Sequence, residues 1–105
     1  MTTIVVLFNL KGDASREAYE AWARSTDLPT VRGLDGVDGF DAFCTTGLLG
    51  KDGQAAPYEY VEIIRIADME KFGAECATDT MRKVAGEFQA FADGPTFMLC
   101  ESLDS

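Results

Sequence analysis

Residues 4–8 are the feature that most restricts what this chain can fold into. Their sequence, IVVLF, is continuously apolar and rich in β-branched residues, which is typical of a β-strand. Successive side chains of a strand point to opposite faces of its sheet, so a strand without polar residues needs cover on both faces. We therefore expect something to pack against each side of this strand.

The rest of the chain predicts helices and strands that are separated by turn residues. A helix capped by Asp13 or Ser15 is expected to end at Leu28-Pro29, because the residue before a proline avoids the helical conformation. Asp68 and Thr78 are the predicted N-caps of two later helical segments. In chain order the predicted elements are strand 4–8, the first helix, a short helical turn 29–32, strand 37–46, loop 47–57, strand 58–66, a helix from residue 69, helix 81–92, a turn at Gly94-Pro95 and strand 96–100.

This order, β-α-β-β-α-β, predicts an α+β fold of the ferredoxin-like type with a four-stranded antiparallel sheet, formed by a single domain over residues 1–105. The helices of such a fold cover only one face of the sheet. A second copy of the chain on the other face would complete a dimeric α+β barrel, so a homodimer is expected. Leu48 and Leu49, in an otherwise polar loop, are predicted to contact that second copy.

Composition excludes several classes of function. Eighteen acidic residues against nine basic ones give a net charge of −9, which disfavours nucleic acid and anionic membranes as partners. The chain has no histidine, so Ser-His and Cys-His catalytic pairs are excluded, and neither a metal site nor a cofactor is predicted. Three cysteines without a C-x-x-C motif predict buried free thiols, and the absence of a targeting signal predicts a cytoplasmic protein.

Residues 18–37 carry the first group of candidate site residues. Tyr19 and Trp22 lie at helical spacing, so they either form the wall of a pocket for an aromatic ligand or belong to the core. Asp27 is either a general base whose pKa is raised by apolar surroundings or a cap that accepts from the Thr30 amide.

Four further residues complete the candidate site. Asn9 either holds a substrate oxygen or satisfies a neighbouring backbone group. Arg32 either holds developing negative charge or forms a surface ion pair. Tyr60 and Glu62 share one strand face. A buried Glu62 either marks the pocket or pairs with a base, for which Arg32 or a residue of the second copy is predicted.

Several segments resemble the REDY-like HapK family, which lies within the dimeric α+β barrel superfamily. They are AYEAWARSTDLPTVRGLDGV, TTGLLG, APYEYVEII, the helix opening with FGAE and the later T and M, and EFQAFADGP. The resemblance extends over nearly the whole chain. It implies a role near red tripyrrole pigments of the prodigiosin type, and hence an aromatic or pyrrole-like small molecule of secondary metabolism as ligand.

The wider superfamily includes cofactor-free monooxygenases and lactone isomerases. The His-x-Pro that is common there reads Asp27-Leu28-Pro29 in this chain, so the histidine chemistry of those relatives does not carry over. Asn9 and Trp22 occupy places comparable with an asparagine and a tryptophan of the monooxygenases.

Two classes of function follow from these observations. In the first, Asp27 or Glu62 acts as a base without metal or cofactor, Asn9 and Arg32 hold negative charge, and Tyr19, Trp22 and Tyr60 bind the ring of the substrate. In the second, the protein is a non-catalytic ligand carrier or an accessory protein of a biosynthetic pathway, and the same polar residues are structural.

Overall fold

The fold is known from a computed structural model that describes residues 2–104. Met1 and Ser105, the two ends of the predicted domain 1–105, lie outside the described residues. In chain order the elements are β1 (Thr2–Leu10), α1 (Arg16–Trp22), a π-helical turn (Ala23–Asp27), α2 (Leu28–Arg32), β2 (Val37–Cys44), β3 (Tyr60–Ile66), α3 (Met69–Cys76), α4 (Asp79–Phe91) and β4 (Ala92–Glu101).

The four strands form one antiparallel sheet with the order β2-β3-β1-β4. The predicted ferredoxin-like α+β fold is therefore confirmed. Ser15, Asp68 and Thr78 each accept a backbone amide with their side chain and begin α1, α3 and α4, as the sequence predicts.

The core lies between the helices and one face of the sheet. Alternate residues of β1 (Ile4, Val6 and Phe8) are buried there, and they pack against Tyr19 of α1 and Phe88 of α4. Glu62 of β3 belongs to the same buried face, because it follows Tyr60 by two residues. The sheet therefore presents an acidic side chain to its own core.

The other face of the sheet carries apolar side chains that none of the helices described in residues 2–104 covers. They are half-buried or exposed and comprise Val5, Leu7, Phe43, Val61, Ile63 and Met98. Phe43 is 50% exposed and Met98 37% exposed. This is the face on which the sequence predicts a second copy of the chain.

The first helix does not end at Leu28-Pro29, as the sequence predicts, but continues through a π-helical turn into α2. The amide of Leu28 donates to the carbonyl of Ala23, five residues earlier, and Leu28 itself is helical with φ −58° and ψ −52°. Pro29 follows directly after this turn, and it has no amide to donate to the carbonyls of the preceding helical residues. The conformational preference of the residue before proline is overridden here by the continuous helix.

The last strand also differs from its prediction, because it begins at Ala92 rather than at residue 96. Leu7 pairs with Thr96 and Asn9 with Asp93, so one residue of β1 lies opposite two of β4, Gly94 and Pro95. Gly94 has φ +53°, which glycine adopts without a steric penalty. Gly94-Pro95 is therefore a β-bulge within the strand and not a turn before it.

The three cysteines are free thiols, but they are less buried than predicted. Cys44 is exposed, and Cys76 and Cys100 are half-buried. Each lies at or near the end of its element, where neighbouring elements provide less cover.

Candidate functional site

Two buried acidic residues form the centre of the candidate site. Asp27 is the last residue of the π-helical turn, and Glu62 lies in the middle of β3. Their exposed fractions are 6% and 4%. Asp27 points inward because the helix carries Tyr19, Ala23 and Asp27 on the face that packs on the sheet.

Hydrogen bonds join this pair to the core. The hydroxyl of Tyr19 donates to Oε2 of Glu62 over 2.9 Å. The carboxyl groups of Glu62 and Asp27 hydrogen-bond to each other, which requires a proton on one of them. The three side chains are therefore linked by hydrogen bonds in series, from Tyr19 through Glu62 to Asp27.

Burial decides where that proton resides. It raises the pKa of Asp27 to about 6, and the hydrogen bond from Glu62 opposes this rise. The pKa of Glu62 rises to about 8, first through burial and then through the negative charge of Asp27. At neutral pH the pair thus carries one proton, held by Glu62 and donated to an ionised Asp27.

A largely apolar cavity of about 160 Å³ adjoins the pair, between the sheet and the helices. A cavity of similar size, about 150 Å³, can hold a benzene ring. Its wall is formed by Asp27, Val31, Phe40, Glu62, Ile64, Phe72, Cys76, Met81, Val84, Ala85, Phe88, Gln89 and Phe97. A small ring compound in this cavity would lie against both carboxyl groups.

The other predicted ring-binding residues lie elsewhere. Tyr19 and Tyr60 pack against each other with ring centroids 4.7 Å apart, and the Tyr60 hydroxyl donates to Glu20 over 2.7 Å. They line a second cavity of about 130 Å³, next to Cys44. Trp22 lines neither cavity, since its indole packs on Phe91 and donates to Glu87 over 3.1 Å.

Asn9 and Arg32 are not brought to the acid pair. The Asn9 side chain donates to the carbonyl of Pro57 and accepts from the amide of Glu59, so it fixes the backbone before β3. Arg32 donates to the carbonyl of Phe40 over 2.9 Å and lies 3.8 Å from Asp41. The prediction that Arg32 pairs with Glu62 is therefore wrong.

Asp27 does not cap the following turn, which was the structural alternative for this residue. It has helical backbone angles, φ −65° and ψ −56°, and its side chain makes no capping hydrogen bond. The helix is continuous at this point, so no N-cap is needed.

Sequence reasoning missed the partner of Glu62 and most of the cavity. The spacing of Tyr19 and Asp27, eight residues apart, signals a shared helix face and could have linked them. The contributions of α3 and α4, including Phe72, Cys76 and Gln89, depend on tertiary packing that no local pattern shows.

In the described part of the chain, no group of three or more His, Cys, Asp or Glu side chains could hold a metal ion. Within residues 2–104, each helix is too short or too polar to cross a membrane.

The family model described as REDY-like protein HapK matches residues 2–103. The crystal structure of HapK from Hahella chejuensis has 31% sequence identity and a TM-score of 0.79, over 100% of this chain and 95% of that chain. The comparison with curated proteins gave no match.

More distant solved structures share the fold. SnoaB, described as a cofactor-independent oxygenase from Streptomyces nogalater, is 16% identical with a TM-score of 0.75, over 99% of this chain and 94% of that chain. A dimeric protein of ferredoxin-like fold from Bacteroides fragilis is 9% identical with a TM-score of 0.66, over 96% of this chain and 95% of that chain. With a family match over nearly its whole length and a solved relative at 31% identity, the chain belongs to the REDY-like HapK family.

Proposed function

We propose that the chain binds a small aromatic or heteroaromatic metabolite in the cavity beside Asp27 and moves a proton on it with the Asp27–Glu62 pair. The observation that carries this proposal is the pair itself: two hydrogen-bonded carboxyl groups, buried against an apolar cavity, that share one proton at neutral pH.

The two pKa values suit this chemistry. A general base works best when its pKa lies near the working pH, and the pKa of Asp27 is raised to about 6. Glu62, with a pKa of about 8, keeps a proton that it can pass to the ligand or to Asp27. One carboxylate and one carboxylic acid thus lie side by side, and proton transfer between them and a bound ring needs no further group.

The relatives support this class of function. Membership of the HapK family supports a role in secondary metabolism, and the resemblance to prodigiosin-pathway proteins supports a pyrrole-like ligand. SnoaB, which has the same fold, is described as a cofactor-independent oxygenase. In this proposal Asp27 and Glu62 are the catalytic residues, Tyr19 positions Glu62, and Asn9 and Arg32 are structural.

A homodimer belongs to the same proposal. The apolar sheet face opposite the helices supports it, because water would otherwise contact Phe43, Met98 and their neighbours. Two such faces packed together would bury those side chains. The cavity beside Asp27 lies on the helix side of the sheet in each copy, so the cavities of the two copies would be independent of each other.

Hydrogen–deuterium exchange at carbon tests the chemistry without knowledge of the natural substrate. Naphthols, pyrroles and indoles are incubated with the protein in D₂O, and ring C–H signals are followed by NMR. A base beside an acid promotes exchange, because the base removes the O–H or N–H proton while the acid delivers deuterium to carbon. In the reverse step the carboxylate left by the acid removes the original ring proton and the other carboxyl group returns a deuteron or proton to the oxygen or nitrogen, which restores the ring. We expect the protein to accelerate exchange in at least one compound. In the Asp27→Asn variant the rate of exchange should be about a hundredfold lower.

Asp38→Asn is the matched control, because Asp38 is an exposed acid away from the cavity. Its exchange rate should equal that of the wild type. Binding in the cavity without exchange would contradict the catalytic proposal and identify a ligand carrier.

A further inference from the structure

The charges around the cavity are all of one sign. Its polar side chains are Asp27, Glu62, Cys76 and Gln89, and among residues 2–104 no lysine or arginine contributes to its wall. Glu62 is neutral when it holds the shared proton, so an ionised Asp27 gives the wall one negative charge without a counter-ion.

The basic residues near the surrounding helices are engaged elsewhere. Arg32 donates to the carbonyl of Phe40 and approaches Asp41. Arg16 donates to the Tyr60 hydroxyl, and Arg24 pairs with Glu20 at 3.5 Å. Lys71, Arg82 and Lys83 of α3 and α4 have exposed side chains and do not line the cavity.

Asp27 also lacks strong donors. In the described part of the chain, no backbone amide and no basic side chain donates to its carboxyl group, and its hydrogen-bond partner is Glu62. A carboxylate accepts several hydrogen bonds, so an ionised Asp27 at the cavity wall has acceptor capacity left for a ligand.

We infer, on the basis of the function proposed above, that this cavity selects neutral or cationic ring compounds with an N–H or O–H donor and rejects carboxylates of the same shape. A donor would complete the hydrogen bonding of Asp27, while an anion would place a second negative charge beside it in a site of low polarity. The substrate class is thus a neutral phenol, pyrrole or amide rather than an aromatic acid.

The selection depends on pH through Asp27. The titratable groups that interact with it are Glu62 of β3 and Tyr19 of α1, and Cys76 of α3 lines the same cavity. The pKa of Tyr19 is raised by burial and by Glu62, and that of Cys76 is raised by burial and by Glu75, so both are neutral at and below neutral pH. Protonation of Asp27 on acidification therefore removes the negative charge from the wall.

Three isosteric ligands test the inference: benzamide, benzoate and benzamidinium have the same shape but charges of zero, minus one and plus one. Their affinities are measured by NMR titration of the ¹⁵N-labelled protein, with the amides of the cavity elements as reporters. At pH 7.5 we expect benzamide and benzamidinium to bind in the cavity and benzoate to bind about tenfold or more weakly. The difference between benzamide and benzoate should shrink at about pH 5, where benzoate is still ionised.

Two variants with equal net charge separate the local effect from the field of the whole protein. Asp27→Asn and Asp38→Asn each remove one formal negative charge from a chain of net charge −9. The preference for benzamide over benzoate should collapse in Asp27→Asn and persist in Asp38→Asn. If Asp27→Asn does not fold, the pH series on the wild type decides the question by itself.

The outcomes distinguish this inference from the function on which it rests. Equal binding of benzoate and benzamide at pH 7.5 would overturn the charge selection and leave a small-molecule site in place. A preference that survives in Asp27→Asn would also overturn it, because the selection would then come from the surface charge. If none of the three ligands shifts the cavity amides at millimolar concentration, the cavity is not a ring-binding site, and the proposed function fails as well.

Discussion

At the scale of single residues, the protonation of Asp27 and Glu62 is the property that most distinguishes this core. Two carboxyl groups in an apolar environment cannot both be ionised without a large penalty, so they keep a proton that either would lose in water. The Tyr19 hydroxyl lowers the pKa of Glu62, but burial and the charge of Asp27 outweigh it. The site thus holds a carboxylic acid at neutral pH.

This protonation predicts a stability that falls as the pH rises. In the folded state the pKa is about 6 for Asp27 and about 8 for Glu62, above the ordinary values of 3.8 and 4.5. Between the ordinary pKa and the folded-state pKa of each group, the folded chain therefore binds more protons than the unfolded chain. The free energy of unfolding should therefore decrease through this window, by up to about 1.4 kcal/mol per pH unit for each proton. Urea denaturation at a series of pH values measures it.

Glu62→Gln isolates the contribution of the more strongly shifted group. Its stability should decline less steeply than that of the wild type between about pH 5 and pH 8, because a group that titrates in the folded state has been removed. Glu70→Gln, which removes an exposed carboxyl group, should keep the wild-type slope. If the free energy of unfolding of Glu62→Gln and of the wild type changed equally with pH, Glu62 would not hold the shared proton in the folded state.

The identity of the two acids could be predicted from the sequence, but their contacts could not. An acid inside an apolar helix face and an acid on the buried face of a strand are both visible as local patterns. The sequence predicts Arg32, or a residue of a second copy, beside Glu62, because Arg65 lies three residues along the same strand and so points to the opposite face. The Arg32 side chain instead reaches the carbonyl of Phe40, a partner set by the angle between α2 and the sheet.

At the scale of elements, the π-helical turn joins the helix face of Tyr19, Ala23 and Asp27 to α2. A π-turn contains one residue more than the corresponding α-turn, so the side chains of α2, which follow it, are rotated about the helix axis by about 100° relative to an uninterrupted helix. Asp27 ends this turn facing the core, and Pro29 follows within the first turn of α2. The sequence gives no direct sign of this turn, since a proline normally indicates that the helix has ended.

The connection between α2 and β2 is held tightly against α3. The side chain of Glu75 accepts from the amides of Asp35 and Gly36, over 2.7 and 2.8 Å. A Cβ atom on Gly36 would lie 2.5 Å from the backbone nitrogen of Phe72, so no other residue fits without movement of α3. This contact keeps the cavity wall formed by Phe72 and Cys76 in place.

Gly36→Ala should consequently lower the free energy of unfolding by about 1–3 kcal/mol, because the backbone of α3 must move away. Gly86→Ala is the matched control, since Gly86 lies within α4 and a Cβ atom there would meet nothing within 4 Å beyond the backbone of its own helix. It should raise the free energy of unfolding by about 0.4–1 kcal/mol. Denaturant titration of both variants measures the difference, and equal effects would contradict the close contact at Gly36.

At the scale of the whole molecule, the uncovered sheet face governs association. We predict that Ile63→Asp, in the middle of that face, raises the dissociation constant of the proposed homodimer about a hundredfold, because the interface would bury an unpaired charge. Sedimentation velocity over a range of concentrations measures it. Leu103→Asp, at a fully exposed position, is the control and should leave association unchanged, and a wild-type chain that sediments as a monomer would refute the dimer.

The fold could be predicted at this scale because its signals are redundant. The continuous apolar run of residues 4–8, the alternation of strands and helices and the resemblance to the HapK family all indicate the same sheet. The sequence predicts a later start of β4 because Gly94-Pro95 suggests a turn, whereas a glycine at φ +53° lets the strand continue through a bulge. Local composition cannot distinguish a bulge from a turn, since both favour the same residues.

The strand order also has a consequence for how the chain folds during synthesis. The central strand β1 pairs with β3 and with β4, and Thr2 hydrogen-bonds to Glu101 across a sequence separation of 99 residues. Among the strands of residues 2–104, β2 and β3 alone are neighbours in both sequence and space, so their hairpin can form early, while β1 pairs with strands distant in sequence. During synthesis β1 therefore leaves the ribosome before β3 and β4, its partners in the sheet, and its apolar side chains lack that cover until those strands follow.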